Sequence, residues 1–216
     1  MTWNTIVDSK QQQGYSKSVV ICVPTNGLVH AEFAYCLANL IRRCEIERIK
    51  INLVMHEGTI LSEQRQKIAI EALKLFSPDY LFWLDSDITF PDDTLIRLLD
   101  TDKDVVCAAY SKRTRPFIPT VFLDIDPVIP IEIDGKLQRA RFAGMGCMLV
   151  DATIMQTLPM PWFPLLWHES SQSWHGEDMG FCSLLEDYNV ELWCDTALSL
   201  EVGHLGSKKY LLDSTD

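Results

Sequence analysis

The sequence predicts an α/β fold: a mostly parallel, Rossmann-like central sheet with helices on both faces, followed by a half of mixed α+β character. Three observations predict it. Short runs of β-branched and aromatic residues recur, stretches with a helical period separate them, and the two kinds alternate through the first ninety residues. Such a sheet presents ligands to the loops at the carboxyl ends of its strands.

Residues 18–24 (SVVICVP) read as the first strand, ended by the turn Pro24-Thr25-Asn26-Gly27. Residues 30–43 carry Phe33, Leu37, Leu40 and Ile41 at helical spacing, and 49–55 (IKINLVM) form a second strand. Residues 62–76 place Ile68, Ala69, Ala72, Leu73 and Phe76 on one helical face. Residues 80–84 (YLFWL) are the third strand. A short helix is expected over 91–99 with Pro91 at its first position, and a fourth strand over 104–110. From 120 to 150 the pattern turns strand-like, and Asp134-Gly135 between two extended runs predicts a two-residue hairpin. A further strand-like run covers 191–198.

At 216 residues, 47% hydrophobic and 23% charged, with a mean hydropathy of +0.03, the chain has the composition of a globular protein. With no repeat and no linker composition, one domain is expected over 18–206, divided into halves at 18–110 and 111–206. Residues 1–17 are expected to be a flexible arm and 207–216 a tail. Thirty acidic against nineteen basic residues leave a net charge of −11, which repels nucleic-acid phosphates and anionic lipid. Duplex nucleic acid and membrane surfaces are therefore not expected partners. No apolar run approaches the roughly 18 residues that cross a bilayer, and the first eighteen residues lack a secretory pattern, so a cytoplasmic location is expected. Seven cysteines without a CxxC pair, with Cys22, Cys107, Cys147 and Cys194 inside apolar runs, read as buried free thiols.

Four groups of residues can carry chemistry. In YLFWLDSDITFP an apolar strand delivers Asp85 and Asp87, and alternation sets both on one side; two acids there can hold a hard cation or a sugar hydroxyl, or serve only as a solvated turn. In WHGEDMGFC, Gly176 precedes Glu177 and Asp178 at a helix start. The helix dipole accounts for one acid, and a second can serve as a general base. His204 stands between Gly203 and Gly206 in a loop, as a third metal ligand or as a structural imidazole. Arg65 lies in the first turns of a helix, as a phosphate-binding fork or as a surface arginine. Trp162, Phe163, Trp167 and Trp174 crowd a proline-rich segment, suited to stacking on a sugar face or to packing. Gly144-Met145-Gly146 implies close backbone approach by a ligand, or a bulge.

Taken in order, the strand ending Pro-Thr-Asn, the helix with Arg65, LDSDITFP, DVVCAAYSKR, GMGCMLV, WF, HGEDMGFC and GHLG resemble GT-A glycosyltransferases. The series is most similar to small family-2-like transferases, including those encoded by bacteriophages, and the likeness covers roughly residues 18–206. The resemblance implies that Pro24, Thr25 and Asn26 line the nucleotide base and ribose, and that Arg65 approaches the diphosphate. It implies that Asp87 and His204 bind Mn2+ or Mg2+, with Asp85 on ribose or metal-bound water. Asp178 matches the acceptor base of inverting members, with Glu177 supporting it. The implied reaction moves a sugar from a nucleotide-diphosphate sugar to an acceptor hydroxyl, in the host cytoplasm if phage-encoded. One departure is Arg-Gln where many relatives read Arg-Asn. LDSDIT also fits the D-x-D-x-T motif of haloacid-dehalogenase-type phosphohydrolases, with Asp85 as nucleophile, although two β-α units precede it here. A nucleotidyltransferase and a non-catalytic nucleotide- or sugar-binding protein are the remaining alternatives. The sugar, base, acceptor and oligomeric state are not encoded in these spacings.

Overall fold

The computed structural model describes residues 2–4, 14–169 and 172–206. Strand β1 (Thr2–Asn4) pairs antiparallel with β3 (Ile49–Glu57), so part of the expected N-terminal arm is sheet; the rest of that arm from 5 to 13, and the tail expected over 207–216, lie outside the described residues. Strand β2 (Lys17–Thr25) pairs parallel with β3 over nine residues and with β4 (Tyr80–Leu84) over four. The fourth expected strand is β6 (Val105–Cys107). With β11 (Cys147–Asp151), β14 (Leu192–Asp195) and β9 (Leu137–Ala140), the main sheet runs β1-β3-β2-β4-β11-β6-β14-β9. Pairing directions orient β3, β2, β4, β6 and β14 one way and β1, β11 and β9 the other, so β11 separates β4 from β6 as an antiparallel wedge.

Strand alternation divides the core in two. Val19, Ile21 and Val23 face α1 (Ala31–Ile46), α3 (Thr94–Asp100) and α6 (Thr196–Ser199). Val20 and Cys22 face α2 (Leu61–Phe76), α4 (Ala152–Thr157) and α5 (Glu177–Asp187). Helix α1 meets the sheet through Phe33, Leu37, Leu40 and Cys44, one stripe at helical period, each large side chain contributing about 1.5–3 kcal/mol. The corresponding stripe of α2 is Gln64, Arg65, Ile68, Ala69 and Ala72, so its amino-terminal end is polar yet buried. Helix α2 stops at Ser77, which takes the left-handed conformation (φ 45°) and returns its N–H to Leu73. Cys22, Cys107, Cys147 and Cys194 are buried free thiols. No described helix is long and apolar enough to cross a membrane.

Two expectations change. Pro91 does not start α3; its carbonyl accepts from the Thr94 amide and hydroxyl, placing the proline in the turn before the helix, with Asp93 at the cap. Asp134-Gly135 does not close a hairpin either. The strand before it, β8 (Val128–Pro130), pairs with β7 (Val121–Ile125) in a small sheet that also holds β10 (Phe142–Ala143), whereas β9 after it joins β14 of the main sheet. Gly135 supplies the positive φ of 79°, but the Asp134 carboxylate accepts from the Lys136 amide and the Thr196 hydroxyl, tying the turn to α6 as the chain crosses between sheets.

Candidate active site

The carboxyl ends of β2, β4 and β6 converge on one edge, and each supplies residues to it. After β2, the Thr25 hydroxyl donates to the Leu28 carbonyl and accepts from the Gly27 amide, while the Asn26 carboxamide oxygen accepts from Leu28. Gly27 has φ +102°, and a Cβ there would lie 2.9 Å from the Glu57 carboxylate. Gln64 braces this turn by donating to the carbonyls of Thr25 (2.6 Å) and His56 (2.9 Å).

After β4 come Asp85 and Asp87, with β5 (Ile88–Thr89) just beyond. The two-residue ladder of β5 with β15 (Gly203–His204), together with the Leu205 amide bonded to the Asp87 carbonyl, delivers His204 to the D-x-D turn. His204 Nδ1 lies 2.9 Å from the Ser111 carbonyl, which can only accept, so Nδ1 carries the proton. Its Nε2 then faces Asp87 Oδ1 at 3.7 Å. The other Asp87 oxygen is held by Arg113 Nη2. Burial pushes the Asp87 carboxyl up, but His204 and Arg113 outweigh it and hold the pKa below the ordinary range.

Pro24, Thr25, Asn26, Asp85, Asp87 and His204 line one cleft of about 430 Å³. Tyr110, at the end of the β6 segment, is its back wall and also borders a second cavity of about 350 Å³ that contains Asp178, Trp174 and Phe122. The Tyr110 hydroxyl accepts the Gly146 amide at 3.1 Å; a Cβ on Gly144 or Gly146 would approach that hydroxyl to 2.7 or 2.6 Å. The glycine pair thus makes room for Tyr110. Burial, then the charges of Asp85 and Asp178, raise the Tyr110 pKa well above its usual value and keep the hydroxyl neutral.

Asp178 stands in the first turn of α5, where its carboxylate accepts the Met179 amide at 2.8 Å. A Cβ at Gly176 would fall 2.7 Å from that carboxylate, so the glycine cap leaves it space. Burial, then the neighbouring charge of Glu177, push the Asp178 pKa from 3.8 to about 6. Glu177 itself points elsewhere, to Arg65.

Arg65 is neither a surface arginine nor a free fork. At 1% exposure it donates from Nη2 to Asp85 (2.8 Å) and from Nε to Glu177 (3.0 Å), with its guanidinium over the Trp83 ring; Nη1 alone lacks a partner. It does not line the cleft, and its place is to join the D-x-D turn to the start of α5. The aromatic segment divides as well: Trp162 and Phe163 are core, whereas Trp167 and Trp174, on the hairpin β12 (Leu166–His168) and β13 (Ser173–His175), are exposed and meet edge to face at 5.4 Å.

The sequence reading missed Tyr110, Gln64 and Arg113. Tyr110 had a visible signal in a large residue ending a strand opposite Gly-x-Gly, and Gln64 in its position on the buried stripe of α2. Arg113 had none beyond its sign.

No protein-family model matches the sequence, and no curated protein matches it. Solved structures do. The crystal structure of A197 from STIV matches with a TM-score of 0.59 at 18% identity, covering 92% of this chain and 95% of that chain. The crystal structure of GalNAc-T7 with UDP, GalNAc and Mn2+ matches with a TM-score of 0.50 at 13% identity, covering 97% of this chain and 48% of that one. The chain therefore spans about half the length of the GalNAc-T7 chain. At these identities the likeness concerns the fold, which is GT-A-like.

Proposed function

We propose that this protein is a metal-dependent glycosyltransferase that moves a sugar from a nucleotide-diphosphate sugar to an acceptor hydroxyl with inversion. The carrying observation is the pair of cavities meeting at Tyr110, one holding the D-x-D turn and His204, the other holding Asp178 with its raised pKa. GalNAc-T7, which shares the fold, was crystallised with UDP, GalNAc and Mn2+.

The residues fit a divalent cation. His204 Nε2 and Asp87 Oδ1 lie 3.7 Å apart in the lining of one cleft, a nitrogen and a carboxylate oxygen spaced so that one cation could take both as ligands. Asp85, Asp87, Glu177 and Asp178 against Arg65 and Arg113 leave an excess of two negative charges. Among the described residues no group of three or more His, Cys, Asp or Glu side chains is placed to hold a metal ion, so a cation here would rest on Asp87 and His204 and would need water and phosphate oxygens to complete its shell. Bound by Asp87 and His204, it would supply Lewis-acid stabilisation of charge on the departing diphosphate.

The chain's own residues do the rest. The braced turn of Pro24, Thr25 and Asn26 receives the base and ribose, with Asp85 toward the ribose. Asp178, unprotonated above about pH 6, takes the acceptor hydroxyl proton as that oxygen attacks the anomeric carbon. The new C–O bond forms on the face opposite the breaking bond to the diphosphate, so configuration inverts. Glu177 neutralises Arg65 and its charge raises the basicity of Asp178. The phosphohydrolase reading asks Asp85 to attack phosphorus; its ion pair with buried Arg65 weakens it as a nucleophile and so weighs against that reading.

The test is a thermal-shift panel of UDP, GDP, CDP and ADP with and without Mn2+, on the native chain and Asp87→Ala. A nucleotide at a hundred times its Kd stabilises by about 2.7 kcal/mol, roughly 5–11 °C for a chain this size. Manganese-dependent stabilisation lost in Asp87→Ala is the expected result. No response to any nucleotide, with a response to Mg2+ and beryllium fluoride, would move the reading to the phosphohydrolase. Retention at the anomeric carbon would remove Asp178 as base.

A further inference from the structure

Two arginines touch the carboxylates of this site, and they are built differently. Arg65 is buried, held by two carboxylates, and has nowhere to go. Arg113 is 42% exposed and, among the described residues, has one ionic partner, Asp87. It sits in the segment between β6 and β7, pinned at its base by the single bridge Ser111↔Pro119 and by the Lys112 amide on the Ile118 carbonyl. Its neighbour Lys112 lines the Asp178 cavity, with its ammonium over the Phe122 ring, whereas Arg113 reaches Asp87 of the other cleft.

We propose that Arg113 is a displaceable counter-cation: it competes with a divalent cation for Asp87, and when a nucleoside diphosphate binds it passes from that carboxylate to the diphosphate. The proposal rests on reading Asp87 and His204 as cation ligands. A guanidinium stays charged at any accessible pH, so a dication and Arg113 sharing one carboxylate repel each other. The long, exposed arginine is the partner that can leave. Its planar fork suits two phosphate oxygens as well as one carboxylate, so the move exchanges one charge-assisted contact for another. Cation and nucleotide are then thermodynamically linked: cation alone must displace Arg113 into water, whereas cation with diphosphate displaces it onto a new partner.

The test uses the full chain and two probes, Mn2+ alone, measured by the paramagnetic resonance of the free ion, and whichever of the four nucleoside diphosphates binds in the presence of saturating Mn2+. Arg113→Gln is expected to bind Mn2+ alone about tenfold more tightly and the nucleotide about tenfold more weakly, an ordinary size for site-to-site coupling. Arg115→Gln, which removes the same charge two residues further along the segment from an exposed side chain resting on the Phe117 ring, serves as the control and should leave both affinities within about twofold. If Arg113→Gln binds Mn2+ no more tightly than the native chain, or no more tightly than Arg115→Gln, the competition is refuted. Tighter Mn2+ with unchanged nucleotide affinity refutes the transfer to diphosphate. Failure of native chain, Arg113→Gln and Asp87→Ala alike to bind Mn2+ above background instead removes the cation site on which the proposal stands.

Discussion

The Nε of Arg65 donates to the Glu177 carboxylate at 3.0 Å across 112 residues of chain, on a helix face that also carries Gln64, Ile68, Ala69 and Ala72. The same guanidinium reaches Asp85, so one buried cation sets the position of the D-x-D turn against the helix that presents Asp178. Burial tightens this joint and makes it unforgiving, because neither carboxylate has another cation to turn to among its described ion pairs.

Removing the cation should therefore cost far more than a surface ion pair. Arg65→Met leaves two carboxylates without their partner and is expected to destabilise by about 3–5 kcal/mol, read as a shift in the urea midpoint. Arg65→Lys should rescue little, since an ammonium cannot span both acids as the fork does. Glu177→Gln added to Arg65→Met should recover part of the loss by removing one orphaned charge.

Asp178 links activity and stability through pH. Its folded pKa is raised to about 6 from 3.8, so the folded state holds the proton more tightly than the unfolded chain does. This favours the folded state at low pH, and the stability is lost as pH rises from about 4 through 6. Asp178→Asn should consequently be more stable than the native chain at pH 8, by up to about 3 kcal/mol, with the advantage vanishing near pH 4. Native kcat/KM should fall about tenfold per pH unit below 6 and level off above it, while the variant loses turnover at every pH.

The fit between Tyr110 and its two glycines predicts a compensating pair. Gly144→Ala sets a methyl 2.7 Å from the Tyr110 hydroxyl and should cost about 1–3 kcal/mol. Tyr110→Phe alone orphans the Gly146 amide and should cost about 1 kcal/mol. Together they should cost less than the sum, by about 1 kcal/mol in a double-mutant cycle on thermal unfolding; strict additivity would show that the hydroxyl is not what excludes the methyl.

Under the proposed transfer reaction, Trp174 offers a way to separate acceptor from donor. It is 64% exposed yet borders the cavity of Asp178. Trp174→Ala should shift stability by only about 1 kcal/mol, raise the acceptor KM about tenfold, and leave donor hydrolysis without acceptor unchanged. An equal fall in both activities would place the tryptophan in support of the whole site.

Much of the fold is legible because its signals are local. Residues 80–84 are predicted and found as a strand, and the Phe33-Leu37-Leu40 and Ile68-Ala69-Ala72 stripes are predicted and found facing the sheet. Where signals were local but ambiguous, the reading went astray. Asp134-Gly135 has the chemistry of a hairpin turn, yet the strand before it is taken by its near neighbour β7 and the strand after it by β14, a partner far off in sequence. Arg65 was legible in part: its place three residues before Ile68 puts it on the buried face, and a buried arginine demands carboxylates.

By itself the sequence determined the alternation of strands and helices and the loops at one sheet edge, and it singled out the acids at 85, 87, 177 and 178 as candidates to carry chemistry. Periods of two and 3.6 residues and an acid placed after a strand are short-range patterns that any such chain must obey. Only the tertiary structure decided that Asp85 and Glu177 share one arginine, that Asp87 divides its oxygens between His204 and Arg113, and that Tyr110 borders both cavities. Each of these joins residues from distant parts of the chain, and such pairings are selected by which buried charges can be neutralised once the layers pack, a condition no local spacing contains.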